Sequence, residues 1–390
     1  MIVFVTAFIL AEIFKRFGLS EMVAEIIAGI IFGVGVVKEG LLNQEAISTI
    51  SHIGEVGALF LSALAGLEIE VDKIRKTSRD AVAIASLSFI LPFIMGYWYT
   101  LHLGYDWRAS FLVGVVLGVT AEEIATKVYL ELGILNTRIG AATIMAAVVD
   151  DVIEVIALAA VLALITKGSL HGFLREFPIM VASFFIIALL VTKILRKVFI
   201  KYRGDEEGLF WLTLVILLGF SALGATLALG PIIGAILGGF FTQIALRKAY
   251  EERPDLKERI ESIIGYLEKM LMAFLVPFFF VEVGLEFNLY YLVEYPMILA
   301  IITAIAFLGK IGGTILAKPF SKLTIRQLWF IGWAMNARGT LGMILTLIGL
   351  EYGLIGRDLY TTVIAMAMIT TISFPFVLKA EYKRNPKIVD

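Results

Sequence analysis

Apolar residues in this chain come in long stretches with no polar face, separated by short segments that are polar and often basic. Neither the alternation of a half-buried strand nor the one-sided stripe of a surface helix describes them; the segment 209–229, for example, is apolar all round. A helix that is hydrophobic on every face is solvated by lipid or by other such helices, and a bilayer core of roughly 30 Å takes about 20 helical residues. The pattern predicts thirteen spans, at 2–17, 21–37, 50–68, 79–102, 108–131, 138–165, 177–199, 208–226, 228–247, 262–285, 290–317, 324–349 and 358–379. A transmembrane β-barrel would show short alternating segments instead. The expected fold is therefore an all-α polytopic membrane protein.

Basic residues test this parse, because they collect on cytoplasmic connections. Alternate connections carry twenty-four Lys and Arg against five on the others, Lys38, Arg108, Lys167, Arg175 and Arg357. The bias agrees with an odd number of spans, an outside N-terminus and a cytoplasmic C-terminus in the cell membrane. The first stretch lacks a basic n-region and is followed by Lys15-Arg16, so it is expected to be retained as a span rather than cleaved. The longest polar connection, 247–269, suits a short cytoplasmic amphipathic helix after Pro254.

Composition narrows the chemistry. Of 390 residues, 59% are apolar and 17% charged, and the formal net charge is −1, which excludes a soluble multidomain chain and gives no reason to expect a nucleic-acid partner. With no cysteine there are no disulfides or thiolate sites. The three histidines, His52, His102 and His171, have no ligand spacing. No cofactor and no enzymatic activity are expected.

Two short similarities suggest an internal repeat. Residues 24–33 and 230–239 share a rhythm of small residues, and Ala65-Gly66-Leu67-Glu68-Ile69 matches Val283-Gly284-Leu285-Glu286-Phe287. Both matches are offset by seven spans. An odd offset reverses the direction of the paired helices, so spans two to six would repeat, inverted, as spans nine to thirteen, an architecture of secondary transporters with midplane ion sites on interrupted helices.

A charge in mid-membrane costs on the order of 2.5–3.5 kcal/mol on insertion scales, so each one needs a reason. Asp150 and Asp151 sit near the middle of span six, and Lys310 lies deep in span eleven. Adjacent helical positions point about 100° apart, so one aspartate can meet a cation while the other meets a protein partner. A static ion pair that only orders the bundle is the simpler reading, but one lysine balances one aspartate. Two spans also look broken, span five at Gly118-Val119-Thr120-Ala121-Glu122-Glu123 and span twelve at Asn336-Ala337-Arg338-Gly339-Thr340. Unwound backbone offers carbonyl oxygens and helix ends to an ion. For Arg338, tying helix ends together is at least as good a reading as a part in transport.

Taken in order, Ile53-Gly54-Glu55-Val56-Gly57-Ala58-Leu59-Phe60, Ala65-Gly66-Leu67-Glu68, Glu131-Leu132-Gly133-Ile134-Leu135, the double aspartate, Gly309-Lys310 and Arg338-Gly339 resemble the cation/proton antiporter superfamily, in particular its branch of NapA-like sodium/proton and Kef-like potassium antiporters. The resemblance implies an inverted-repeat antiporter with two interrupted crossing helices. It implies a homodimer, with a dimer domain at about 1–75 and 205–288, a core domain at about 76–170 and 289–390, and a linker helix at 175–204. It further implies that Asp151 binds the transported sodium or proton, that Asp150 pairs with Lys310, that Thr120 belongs to the site, and that a double-aspartate member is electrogenic and serves pH homeostasis.

The chain departs from that pattern where Ala121 follows Thr120 and Thr340 follows Arg338-Gly339, and it adds Glu122, Glu154 and Glu282. Glu122 or Glu154 could replace a lost ligand or carry a proton. Alternatively Glu123 pairs with Lys127 and Glu282 with Arg338. The expected activity is sodium, or lithium, for proton exchange by alternating access. Potassium/proton exchange is the near alternative, disfavoured because no Gly-x-Gly-x-x-Gly unit follows the last span; a cation channel would need a filter motif that is not evident.

Overall fold

The computed structural model describes residues 2–34, 42–68, 79–135, 137–167, 170–202, 205–227 and 229–389. Among the described residues there is no strand, and sixteen α-helices follow one another. They are α1 (Ile2–Arg16), α2 (Glu21–Gly33), α3 (Gln44–Glu68), α4 (Arg79–His102), α5 (Trp107–Gly118), α6 (Glu122–Glu131), α7 (Arg138–Lys167) and α8 (Leu170–Lys201), then α9 (Glu206–Thr226), α10 (Pro231–Glu252), α11 (Leu256–Leu285), α12 (Leu289–Glu294), α13 (Pro296–Leu316), α14 (Ile325–Ala334), α15 (Thr340–Glu351) and α16 (Arg357–Arg384). In their described residues the predicted spans each fall on one of these helices or on a pair of them; 35–37 of the second span and 228 of the ninth lie outside the described residues. Seven, α3, α4, α9, α10, α11, α13 and α16, are each long and apolar enough to cross a bilayer.

Local sequence explains where the helices begin. Asp106 accepts the Arg108 amide at the start of α5, and Asp205 accepts the Gly208 amide at the start of α9, supplying partners for amides that a helix leaves free in its first turn. Thr324 and Gln327 form a reciprocal capping box at α14. Pro231 opens α10, where its missing N–H costs nothing.

Two spans are interrupted where polar residues sit mid-stretch: α5 and α6 are separated by 119–121, and α14 and α15 by 335–339. A third interruption, at Tyr295 between α12 and α13, was not anticipated; Pro296 cannot continue the preceding helix and opens the next one instead. The short helix expected after Pro254 is corrected. The chain starts α11 at Leu256 and runs unbroken to Leu285, because no proline is met before Pro277, which the helix absorbs.

The chain divides into two compact units. One comprises Met1–Asn43, Asp72–Leu158 and Phe280–Asp390 and holds both interrupted spans. Within it α2 lies against the end of α11 so closely that a Cβ on Gly29 would sit 2.8 Å from the Gly284 Cα. The other unit comprises Gln44–Val71 and Ala159–Phe279. Within it α10 lies against α3, and a Cβ on Gly239 would sit 2.8 Å from the Leu67 backbone nitrogen. The four segments in contact are those matched in the sequence, paired here across the two matches. Span two meets span ten in one unit, and span nine meets span three in the other, as an inverted repeat requires.

Candidate ion-binding site

The site is built on the two breaks. At the first, the Val119 amide still bonds back to the Val115 carbonyl at 3.1 Å, closing α5. The Ala121 amide crosses to the Ala337 carbonyl of the second break at 2.9 Å, so the two unwound segments are joined by backbone. The Thr120 amide between them donates to Glu154 Oε1 at 2.5 Å. All three amides of the gap are thus accounted for, as buried backbone demands. Ala121, Ala146, Ala334, Met335 and Ala337 belong to one buried apolar cluster around these segments, a setting of low dielectric in which hydrogen bonds and charges act strongly.

The charges converge on the same place. Asp150 and Lys310 are both wholly buried, with Lys310 Nζ 3.7 Å from Asp150 Oδ2. At that separation they are an ion pair without a direct hydrogen bond. The ammonium donates instead to the Gly118 carbonyl and to Thr120 Oγ1. Among the described residues neither oxygen of Asp150 has a hydrogen-bond partner. Asp151, the next residue, is half-buried. Glu154 is 3% exposed and one turn beyond Asp150, on the same side of α7.

Arg338 is the second buried cation, and it ties helix ends together. Its Nη1 donates to the Val119 carbonyl at 2.7 Å and its Nη2 to the Ala306 carbonyl at 3.3 Å, while its own amide donates to Thr371 Oγ1 at 3.0 Å. Two carbonyls of the first break, those of Gly118 and Val119, are therefore each held by a cation. The structural reading of Arg338 describes these contacts, and Glu282 is buried as well. Asn336 is buried and donates to the Gly332 carbonyl at 2.7 Å, and among the described residues its Oδ1 has no hydrogen-bond partner. The side chains of Glu122 and Glu123 lie outside the described residues, and with them the proposed Glu123–Lys127 pair.

The structure thus brings together Asp150, Thr120, Lys310, Glu154 and Arg338, with Asp151 beside them in sequence. Two features escaped the sequence reading. One is Thr371, whose hydroxyl bridges the Arg338 amide and carbonyl; the adjacent Thr370-Thr371 in an apolar span was the available signal. The other is the use of Glu154 as a backbone acceptor, which nothing in residue spacing distinguishes from a ligand.

A bundle of apolar helices, two of them broken at mid-membrane around buried carboxylates and cations, defines a membrane transporter of the interrupted-helix class. The comparisons agree. A family model described as "Sodium/hydrogen exchanger, transmembrane" matches residues 2–380. The chain belongs to that sodium/hydrogen exchanger family, within the cation/proton antiporters. It is 25% identical over 375 residues to the Na(+)/H(+) antiporter of Enterococcus hirae, covering 95% of this chain and 93% of the relative. It is 25% identical over 374 residues to the Na(+)/H(+)-K(+) antiporter GerN of Bacillus cereus, covering 95% and 92%. The fold is similar to that of the sodium proton antiporter MjNhaP1 from Methanocaldococcus jannaschii, with a TM-score of 0.73 at 16% identity over 98% of this chain and 95% of that one.

Proposed function

We propose that this chain is a secondary active transporter that exchanges sodium, or lithium, for protons across the cell membrane, with Asp151 as the carboxylate at which ion and proton compete. The observation that carries this reading is the pair of adjacent carboxylates on α7, one sealed beside Lys310 and the other half-buried, next to a broken helix rich in oxygen acceptors. A carboxylate that holds a proton cannot at the same time ligate a cation. Exchange is then obligatory if the carrier turns over only when the site is neutralised by one or the other.

Electrogenic exchange follows from the second carboxylate, if a cation at Asp151 also separates Asp150 from Lys310 and frees the ammonium to lose its proton. One proton then leaves Asp151 and a second leaves Lys310 for each cation bound. We assign the moving parts as a dimer domain of about 1–75 and 205–288 and a core of about 76–170 and 289–390, joined by the helix at 175–204. In this division α2 and the end of α11, which pack on each other, stay together. The dimer domain would pair two copies of the chain. The distribution of basic residues supports an outside N-terminus and a cytoplasmic C-terminus.

The test is reconstitution into proteoliposomes, recording charge movement and luminal pH after sodium, lithium or potassium jumps, for wild type and Asp151→Asn. The expected result is cation-dependent proton efflux with net current, lost in Asp151→Asn, and an apparent sodium KM that rises as pH falls because protons compete for the site. Exchange that persists in the variant would move the site elsewhere. Response to potassium alone would change the cargo, and current without proton coupling would make the protein a channel.

A further inference from the structure

We infer that Glu154 is a positioning residue, which acts on the ion site through the Thr120 backbone and is neither an ion ligand nor a proton carrier. The inference rests on the proposed antiport at Asp151 and names how this chain shapes that site.

The gap between α5 and α6 has three amides, and two of them are satisfied by the backbone, Val119 to Val115 and Ala121 to Ala337. The third, that of Thr120, has Glu154 Oε1 as its acceptor at 2.5 Å. In a buried gap an amide without a partner is costly, and the Glu154 oxygen is the acceptor that satisfies this one. Glu154 therefore fixes where Thr120 lies. Thr120 in turn presents Oγ1 to the Lys310 ammonium, which also takes the Gly118 carbonyl. Held by these two oxygens, the ammonium stands 3.7 Å from Asp150, and Asp150 keeps both oxygens free of hydrogen bonds among the described residues. The chain of contacts runs Glu154, Thr120, Lys310, Asp150, and its first link is the i,i+4 neighbour of its last, one turn along the same side of α7.

A ligand or a proton carrier needs the charge of Glu154; a positioning acceptor needs only an oxygen at that place. Glutamine supplies the oxygen without the charge, and alanine supplies neither. The experiment measures sodium KM and maximal rate in proteoliposomes for wild type, Glu154→Gln, Glu154→Ala, Thr120→Val and the Glu154→Ala/Thr120→Val pair, with Asp151→Asn as the control for the underlying reading.

The expected result is a rise in sodium KM of about tenfold for Glu154→Ala and less than about fivefold for Glu154→Gln, with maximal rates within about twofold of wild type. Thr120→Val should raise KM to a similar extent as Glu154→Ala, and the double variant should be no worse than the weaker single by more than about twofold, since both break one chain of contacts. If Glu154→Gln is as damaged as Glu154→Ala, the charge itself is required and the inference fails. It fails equally if the two single effects multiply in the double variant. Should Glu154→Ala not insert, the ratio of Glu154→Gln to wild type still decides between oxygen and charge. Activity retained in Asp151→Asn would reject the proposed site while leaving the Glu154–Thr120 coupling to be read from its own cycle.

Discussion

The seams between small residues and the charged crossing are built from the same repeat, yet only the seams keep its symmetry. Gly29 on α2 abuts the backbone of α11, and Gly239 on α10 abuts the backbone of α3, each in its own unit and each by the same device of a missing Cβ. The two breaks have diverged. The first offers acceptors and one hydroxyl, Gly118, Val119 and Thr120, whereas the second offers the fixed cation of Arg338. Scaffold contacts tolerate copying because backbone against backbone has one solution. The site cannot be symmetric, because cations at both breaks would repel and acceptors at both would leave buried charge without a partner.

A side chain placed in a seam should have the largest effect. A Cβ on Gly66 of α3 would overlap the Ile236 carbonyl oxygen, and backbone cannot step aside as a flexible side chain could. Gly66→Val is expected to cost about 4 kcal/mol or more, at the upper end of single substitutions, and to leave little monodisperse protein on size exclusion in detergent. A variant that purifies and melts like wild type would mean the seam has slack.

Next in size is the buried pair. Lys310→Met strands Asp150 in an apolar setting and is expected to destabilise by about 3–5 kcal/mol, while Asp150→Leu with Lys310→Met should recover most of that loss because no unpaired charge remains. Thermal melts of the two single variants and the double would check it. Transport should be absent in the double variant even where stability returns, which separates the scaffold from the chemistry. Equal melting of single and double variants would show that the two groups, 3.7 Å apart, are not coupled.

Much of this was legible in the chain, for reasons that differ by residue. The spans were readable because lipid imposes one composition on whole helices, and the breaks because Thr120, Asn336 and Arg338 have no business in an apolar run without partners. Partners that are backbone were not readable. The Val119 and Ala306 carbonyls that hold Arg338 carry no signal, since every residue has a carbonyl. The same blindness hid the role of Glu154, whose partner is an amide. At Tyr295 the interruption followed from a single proline inside an otherwise apolar stretch, which hydropathy averages away. After Pro254 the expected short helix is the first part of α11, because the polar turns near its start are helical by the same backbone bonds as the apolar ones.

A smaller effect is expected at Thr371. Its hydroxyl lies against both the amide and the carbonyl of Arg338. Thr371→Val keeps the shape and removes the oxygen, leaving the buried Arg338 amide without its acceptor at a cost of about 1–3 kcal/mol. A melting temperature that falls clearly, together with an unchanged melt for Thr362→Val, whose hydroxyl bonds to the Asp358 carbonyl within its own helix, would assign the effect to the break and not to loss of a threonine in general.

The smallest effects are expected at the junction of α11 and α16, where a buried and an exposed contact lie side by side. The Tyr360 hydroxyl, wholly buried, donates to the Val283 carbonyl at 2.7 Å. Arg357 pairs with Glu286 at 2.6 Å, with side chains 55% and 28% exposed. The shorter contact joins full charges, so distance alone would rank it first. Water reverses the order: an exposed pair contributes about 0.2–1 kcal/mol, less as salt rises, whereas removing the hydroxyl strands a buried carbonyl at about 1–3 kcal/mol. Tyr360→Phe should therefore lower the melting temperature more than Arg357→Gln, and only the gap between Arg357→Gln and wild type should close when salt is raised. The opposite order would mean that this end of α11 is sealed from water more completely than its exposure indicates, and that its ion pair belongs with the buried charges of the crossing.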